Sequence, residues 1–261
     1  MRTYDEYRKI LELWEQGIPK KSIGILLGIP RATVRDCIER YRDVEGLENN
    51  KARATKSTST ELLAAVSNAL NTGLQQGYAY LLGLYLGDGY IVRNKRIFFL
   101  RIALDSQYPN IIKRCHDAMR TILPENKVHI LNSRQGNWVE VIGFYKFWPD
   151  LFPQSGSGPK HKREIRLEDW QQKIVEAYPI EFFRGLYHSD GSRFSNVVNG
   201  KDYPRYQFTN SSSDIRQMFC ETCDRLGLHW TAKARGGAIT DIYVSRRKDV
   251  EYLDRLIGPK T

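Results

Sequence analysis

The chain has 261 residues, with 40 Lys and Arg against 30 Asp and Glu, and a formal net charge of +10. Hydrophobic residues make up 41% and charged residues 27%, as in a globular protein with a core. No apolar run reaches the roughly 20 residues needed to cross a bilayer, and the first residues lack the apolar segment of a signal peptide. The sequence therefore predicts a cytoplasmic protein, and its basic excess favours nucleic acid as a partner over an anionic membrane.

The cysteines are Cys37, Cys115, Cys220 and Cys223, and they fit reduced thiols. Cys220 and Cys223 form a C-x-x-C inside a helical pattern over residues 213–226. The sequence has neither a second cysteine pair nor a nearby His pair that would complete a zinc site. We therefore expect a structural role for both.

Residues 4–42 have the apolar periodicity of three short helices. The first ends before Gly17, the second ends at Gly28, and Pro30 suits the start of the third. The side chains predicted to face the core are Tyr7, Ile10, Leu11, Trp14, Ile23, Leu26, Leu27, Val34, Cys37, Ile38 and Tyr41. This order predicts an all-α helix-turn-helix domain over residues 1–46.

In a helix-turn-helix domain, the first residues of the last helix reach base edges in the major groove. Those positions here are Arg31, Ala32, Thr33 and Arg35. Arg can bind guanine through two hydrogen bonds, and the Thr methyl group can contact thymine. The alternative is a three-helix module that only packs or dimerises.

Residues 47–76 are polar and small around ENNKARATKSTST, which predicts a linker. One candidate helix covers residues 61–70. We expect the first domain to move relative to the remainder of the chain.

Residues 77–163 and 164–261 form two similar halves. Each begins with an apolar helix that ends in Asp-Gly, followed by a hairpin, a helix, a second hairpin and a terminal helix. The turns at Asn199-Gly200 and Gly236-Gly237 are strong hairpin signals. The predicted strands lie near residues 90–93, 97–104, 127–132, 137–142, 193–197, 205–210, 229–234 and 239–245. The fold class is therefore α+β, a tandem αββαββα repeat beside the small all-α domain.

The two opening helices share a motif. Residues 81–89 read L-L-G-L-Y-L-G-D-G, and residues 183–191 read F-R-G-L-Y-H-S-D-G. The pair resembles the two motifs of single-chain LAGLIDADG homing endonucleases, and the resemblance covers residues 77–261. It implies a pseudo-two-fold monomer whose two sheets form a saddle on double-stranded DNA. At 3.4 Å per base pair, such a saddle would cover roughly 20 base pairs.

The small residues of the motif share one helix face. Gly83 and Gly87 are four residues apart, as are Gly185 and Ser189, so each pair lies on one side of its helix. Small side chains there would let the two helices pack closely. This packing would bring Asp88 and Asp190 together, although an isolated Asp-Gly is otherwise only a helix C-terminal turn.

Paired carboxylates beside a phosphate favour Mg²⁺ or Mn²⁺. The resemblance implies that Asp88 and Asp190 are catalytic metal ligands, assisted by the backbone carbonyls of Gly87 and Ser189. A basic side chain would stabilise transition-state charge. Lys160 in Gly158-Pro159-Lys160 is favoured and Lys162 comes second, with Lys260 as the symmetry mate of Lys160. The alternative for these lysines is an exposed basic loop.

The hairpins supply a basic surface for reading DNA. Arg101 and Gln207 are expected at equivalent places in the two halves. The predicted DNA-binding residues of the repeats are Arg93, Lys95, Arg96, Arg101, Arg134, Gln135, Lys162, Arg193, Arg205, Gln207, Lys233 and Arg235. Taken singly, each of them equally fits a solvated surface residue.

The halves also differ from the family pattern. Leu86 and His188 replace the first acid of the motif, Asn210 stands where a longer amide is usual, and Leu104 takes the matching place in the first half. We therefore expect one DNA strand to be cut faster than the other.

Three functions fit the sequence. The first is a metal-dependent DNA endonuclease without a small-molecule cofactor, either nucleoid-associated or phage-encoded. The second is a non-cleaving transcriptional regulator on the same scaffold. The third is an RNA-splicing helper, against which the N-terminal module argues.

Overall fold

The computed structural model describes residues 4–39, 72–94, 97–123, 126–133, 136–235 and 238–261. The chain divides into two compact units, Met1–Arg53 and Ala54–Thr261. Within the described ranges, no helix is both long and apolar enough to span a membrane. The predicted helix at 61–70 and the predicted core residue Tyr41 lie outside the described residues.

The first unit contains α1 (Tyr4–Glu15), α2 (Lys20–Leu27) and α3 (31–39). Ile10, Ile23, Val34 and Ile38 are at most 1% exposed and form its core. Gly28 ends α2 at a φ of 62°, the left-handed conformation that glycine adopts without strain. The prediction that Leu26 faces the core is wrong. Its side chain is 64% exposed, because Leu27 lies one turn after Ile23 and takes the inward position.

The second unit begins with α4 (Thr72–Asp88), β1 (Gly89–Asn94), β2 (Ile97–Asp105), α5 (Pro109–Ile122), β3 (Val128–Asn132) and β4 (Trp138–Phe144). A short helix α6 (Trp148–Leu151), a 3₁₀ turn (Lys160–Lys162) and α7 (Asp169–Ala177) lead to the second repeat. That repeat contains α8 (Pro179–Asp190), β5 (Gly191–Val198), β6 (Lys201–Thr209), α9 (Ser213–Arg225), β7 (Trp230–Arg235), β8 (Ala238–Val244) and α10 (Arg247–Leu256).

The strands form two antiparallel sheets of the same topology. Sheet A has the order β1-β2-β4-β3 and sheet B the order β5-β6-β8-β7. Gly89 pairs with Ile102 and Gly191 pairs with Phe208, so the strand after each motif is in the same register with its neighbour. The predicted α+β class with a duplicated unit is confirmed.

Each sheet has an inner face on the helices and an outer face turned away from them. Leu100, Ile102 and Val141 of sheet A join the core that contains α4 and α8. Because side chains alternate along a strand, Phe99 and Arg101 lie on the outer face. Tyr206 and Phe208 mark the inner face of sheet B in the same way.

Strand β6 starts at Lys201, four residues before the predicted start, and includes Pro204. Residues 201–205 pair only with β5, and pairing with β8 begins at Tyr206. Proline is tolerated on a strand that lacks a second neighbour, since its missing N–H breaks no ladder. The β5–β6 hairpin therefore extends past the sheet as a two-stranded arm.

Candidate active site and nucleic-acid interface

The two motif helices α4 and α8 pack backbone to backbone. A Cβ atom at Gly185 would lie 2.2 Å from the carbonyl oxygen of Tyr80, and one at Gly83 would lie 2.6 Å from that of Phe182. Real Cβ contacts are not that short, so both positions need glycine. Gly87 faces Ser189 in the same way, because a Cβ at Gly87 would lie 2.2 Å from the Ser189 Oγ. The small residues of the motif thus form the contact between the repeats.

This packing brings the two motif aspartates together. Asp88 is the last residue of α4, and Asp190 is the last residue of α8. A Cβ at Gly87 would also lie 2.6 Å from Oδ2 of Asp190, so the carboxylate of one motif lies against the backbone of the other. The structure therefore brings together the two carboxylates that the sequence singled out.

Two lysines lie at the ends of the same helices. The Nζ of Lys160 donates hydrogen bonds to the carbonyls of Tyr85, of Leu86 at 3.0 Å and of Gly89 at 2.6 Å, with Gly87 at 3.4 Å. The Nζ of Lys260 donates to the Ser189 carbonyl at 3.0 Å.

A cation at a helix C-terminus is stabilised by the unpaired carbonyls and the helix dipole. Gly158 and Gly258, which precede the two Pro-Lys pairs, have φ values of 83° and 74°. Both glycines thus have the left-handed conformation, and the lysine after each Gly-Pro pair reaches carbonyls at the C-terminus of a motif helix.

Burial and mutual repulsion shift the acids. Burial raises the pKa of Asp88 to about 7, and the negative charge of Asp190 adds to the shift while Lys260 and Lys160 oppose it. Burial also raises the pKa of Asp190, although a hydrogen bond from Asn210 opposes that shift. Both acids thus sit where their negative charge is poorly solvated.

The lysines shift in the opposite direction. Burial lowers the pKa of Lys160 to about 7, and both aspartates oppose the shift. Burial likewise lowers the pKa of Lys260. The four groups therefore form one buried cluster in which burial disfavours the charged form of both the acids and the lysines.

The two aspartates differ in their neighbours. Asn210 Nδ2 donates to Asp190 Oδ2 at 2.7 Å, and the backbone N–H of Ser212 donates to Asn210 Oδ1 at 2.7 Å. The second bond fixes which way the amide points. Among the described residues, no donor lies within hydrogen-bonding distance of the Asp88 carboxylate. Leu104, the counterpart of Asn210 by register, is 4% exposed and packs in the core.

A cavity of about 350 Å³ opens beside Asp88. Leu104, Asp105, Trp138 and Lys260 help to line it, together with His188. The Nδ1 of His188 forms a 2.9 Å hydrogen bond with the Tyr80 hydroxyl, across the contact between the helices. Burial lowers the pKa of His188 to about 3, so its ring is neutral, and its hydrogen bond with Tyr80 links the two repeats.

The oxygen donors at the helix ends suit a hard divalent cation. In the described part of the chain, no cluster of three or more His, Cys, Asp or Glu side chains could hold a metal. Mg²⁺ is nevertheless commonly held by one or two carboxylates and keeps several waters. Burial is the largest cause of the raised pKa values of Asp88 and Asp190, and a nearby cation would stabilise their charged forms. A carbonyl oxygen has two lone pairs, so the carbonyls of Gly87 and Ser189 can accept a lysine and still bind a cation.

The outer faces of the sheets hold some of the predicted DNA-binding residues. Arg101 pairs with Tyr90, and Gln207 pairs with Ser192, so the two residues occupy equivalent outer positions. Arg205 and Lys233 also lie on the outer face of sheet B. Arg101, however, forms an ion pair with Glu140, which also accepts from the Tyr90 hydroxyl at 2.8 Å.

Two predicted DNA-binding residues are placed elsewhere. Arg193 lies on the inner face, where its Nε and Nη2 donate to Asp254 at 2.7 and 2.8 Å. Arg93 also alternates to the inner side, and its guanidinium lies 5.9 Å from the Phe98 ring centroid. Both stand an even number of residues after the motif glycine, and alternation along the strand therefore places them on the inner face with that glycine.

Of the remaining predicted residues, Lys162 is exposed in the 3₁₀ turn. Arg235 ends β7, just after a register shift. Lys95, Arg96, Arg134 and Gln135 lie outside the described residues.

The start of α3 presents its polar side chains to solvent. Arg31, Ala32 and Arg35 are exposed and Thr33 is half-buried, while the following Val34 points into the core. Arg35 forms an exposed 3.3 Å ion pair with the adjacent Asp36. Such a pair contributes little stability, so this side chain can exchange partners. The four cysteines are all buried and form no disulfide, in line with the structural role expected for Cys220 and Cys223.

Comparison with known proteins places a family model on the first unit. Residues 5–51 match a model described as a homeodomain-like domain. No curated protein matches the chain.

Solved structures are similar in fold to the larger part of this chain. One is the homing endonuclease I-DmoI in complex with DNA and Mn, at 18% identity and a TM-score of 0.49, over 71% of this chain and 97% of that chain. Another is the N-terminal LAGLIDADG domain of DUF199/WhiA, at 14% identity and a TM-score of 0.45, over 78% of this chain and 93% of that chain. A third is the homing endonuclease I-WcaI bound to its DNA recognition sequence, at 16% identity and a TM-score of 0.47, over 81% of this chain and 92% of that chain. At these identities the likeness concerns the fold alone.

Proposed function

We propose that this chain is a sequence-specific double-stranded DNA-binding protein that hydrolyses phosphodiester bonds as a divalent-metal-dependent endonuclease. The convergence of Asp88 and Asp190 at the ends of two tightly packed helices carries the proposal. Burying two carboxylates that repel each other destabilises a fold, and a simple helix turn does not require it. Such an arrangement is typical of a site that acts on charged groups.

In this proposal, Asp88 and Asp190 hold Mg²⁺ or Mn²⁺ with the carbonyls of Gly87 and Ser189. The bound ion would polarise the scissile phosphate and acidify water. Lys160 and Lys260 place positive charge beside the same carboxylates, where it would stabilise an anionic phosphate. Because the pKa of Lys160 is about 7, this side chain can also take up or release a proton near neutral pH.

The remaining parts of the proposal concern DNA binding. Residues 1–46 would bind DNA through Arg31, Thr33 and Arg35, with 47–76 as a linker to the repeats at 77–163 and 164–261. The outer faces of the two sheets would lie along the major groove as a saddle, within one chain. The net charge of +10 favours such a polyanion and would steer the encounter.

A transcriptional regulator that binds DNA without cutting it is the second candidate. The contacts of Lys160 and Lys260 with the motif carbonyls favour it, because two ammonium groups already neutralise the helix ends. In this alternative the lysines permanently replace the metal. The helix-turn-helix unit would then be the main reader of sequence.

Supercoiled plasmid carrying the DNA that flanks the gene distinguishes the two candidates. The endonuclease proposal predicts nicked and then linear product in Mg²⁺, and none in EDTA. Binding in Ca²⁺ with no cut in Mg²⁺ or Mn²⁺ would leave the regulator. The matched test is the double variant Lys160→Met and Lys260→Met, which lacks both ammonium groups. It should weaken cleavage if the chain is an endonuclease, and it should remain unable to cut DNA if the chain is a regulator.

A further inference from the structure

The β5–β6 hairpin carries a row of paired side chains on its outer face. The pairs are Ser192 with Gln207, Phe194 with Arg205, Asn196 with Tyr203, and Val198 with Lys201. Phe194 is 38% exposed and Tyr203 is 48% exposed, so the row is open to a partner. The row starts next to Gly191, directly after Asp190.

Arg205 is held in this row by two aromatic rings. Its guanidinium carbon lies 5.7 Å from the ring centroid of Phe194 and 5.9 Å from that of Tyr243. Phe194 belongs to β5 and Tyr243 to β8, so the strands on both sides of β6 contribute to the clamp. Stacking of this kind fixes the plane of a guanidinium.

None of the residues that the structure describes accepts a hydrogen bond from Arg205. Its Nε is buried, and within the described residues it has no acceptor. No carboxylate in those ranges forms an ion pair with it either. Arg101, on the outer face of sheet A, differs because it is bound to Glu140. An arginine that is oriented, desolvated in part and left without an acceptor indicates that the acceptor comes from a ligand.

We infer that Arg205 is the principal base-reading residue of the second repeat and recognises a guanine through its O6 and N7 atoms. This inference rests on the proposed DNA binding and names the specificity of that surface. A guanidinium plane held by stacking matches the paired acceptors of guanine in the major groove. Since the fork is oriented before binding, less conformational freedom is lost when the complex forms.

The register also predicts where the guanine lies. Residues along a strand advance about 3.3 Å each, close to the 3.4 Å rise of a base pair. Phe194 stands four residues after Asp190, so the guanine should lie about four base pairs from the phosphate that Asp190 serves.

Selection from a randomised duplex library tests the inference with the full chain in Ca²⁺. We expect wild-type protein to enrich sites with one fixed guanine that Arg205→Ala no longer selects, while the other positions stay fixed. Affinity for the wild-type site should fall about 10- to 100-fold in Arg205→Ala, and nearly as far in Arg205→Lys, which lacks the fork. Lys233→Ala is the matched control on the same face and should weaken all sequences alike.

Replacing that guanine by 7-deazaguanine removes N7 and leaves base pairing intact. Wild-type protein should lose affinity for the modified duplex, and Arg205→Ala should not distinguish the two duplexes. The inference is overturned if Arg205→Ala keeps the guanine preference, or if it weakens every sequence as Lys233→Ala does. Failure of the wild type to select any sequence would instead reject DNA reading by this surface altogether, and the inference with it.

Discussion

On the outer face of sheet A, Phe99, Ile142 and Phe144 are each at most 3% exposed, whereas sheet B has Arg205 at the position that corresponds to Phe99. The two sheets have the same strand order and the same register after their motif glycines. The helices beneath them are equally alike, with a lysine at each C-terminus. The two repeats thus share their strand order and the positions of their aspartates and lysines, while their outer faces differ.

The same contrast reaches the carboxylates. Asp190 has an oriented amide beside it, and Asp88 has a buried leucine and a cavity. We therefore expect the two repeats to contribute unequally to cleavage and to base reading, although both are needed to build the centre.

The helix contact gives the largest expected effect on stability. Gly185→Ala would force a Cβ to within 2.2 Å of the Tyr80 carbonyl and should lower the free energy of unfolding by about 3 kcal/mol or more. Gly77→Ala is the matched control in α4, because the nearest atom would lie 3.7 Å away. That variant should be neutral or more stable by up to about 1 kcal/mol. Urea denaturation of both measures the difference, and equal midpoints would refute the close packing.

The outer-face arginines should respond in opposite ways. Arg101→Met leaves Glu140, which is 7% exposed, without its charge partner and should cost about 2–4 kcal/mol of stability. Adding Glu140→Leu should restore most of that loss, because both charges are then gone. Arg205→Met should change stability by less than about 1 kcal/mol. Comparable losses for the two single variants would remove the distinction between a structural and a reading arginine.

The amide beside Asp190 should set the order of strand cleavage. Asn210→Leu removes the hydrogen bond that orients this carboxylate. The rate of cleavage of the DNA strand that the wild type cuts first should fall by about 10-fold or more. Leu104→Asn places an amide at the matching position of the first repeat and should narrow the difference between the strands. End-labelling each strand separately gives the two rates. Wild-type rates that are equal from the outset would contradict this asymmetry.

The pH dependence of stability should show the buried cluster in metal-free protein. Because the pKa of Asp88 is raised from 3.8 to about 7, the folded state holds this proton more tightly, and its contribution to stability falls as the pH rises between those values. Because the pKa of Lys160 is lowered from 10.5 to about 7, its contribution rises from pH 7 upwards. The cluster therefore destabilises the fold most near pH 7.

The free energy of unfolding, measured in EDTA across this pH range, tests the contributions of Asp88 and Lys160. Asp88→Asn should flatten the acid side of the profile relative to wild type, and Lys160→Met should flatten the alkaline side. A saturating divalent cation should remove the acid-side slope in wild type and in Lys160→Met, because both proteins keep Asp88 and Asp190. Parallel profiles for all three proteins would show that these groups are solvated like ordinary surface side chains.

Much of the scaffold could be predicted because its signals are local. The αββαββα repeat follows from alternating strands and from turns such as Asn199-Gly200, whose φ values of 50° and 74° suit Asn and Gly. The motif spacing likewise placed the small residues and both aspartates on the helices that carry them. Counting alternation from Gly191 would also have excluded Arg193 from the outer face.

The remaining features depend on contacts between distant residues. The partner of Arg101 is Glu140 on β4, and the clamp of Arg205 needs Tyr243 on β8, neither of which the sequence links to them. The hydrogen bond between Tyr80 and His188 joins the two repeats. Such pairs are fixed by register and packing, so only the folded chain shows them.

Cleavage by Asp88→Asn and Asp190→Asn, on a duplex that the wild type binds and cuts, tests the central claim most directly. We expect each single variant to lose Mg²⁺-dependent double-strand cleavage and to keep its affinity for the duplex in Ca²⁺, because both carboxylates serve one centre and neither reads bases. Undiminished cleavage by either variant, or cleavage by wild type in EDTA, would contradict it.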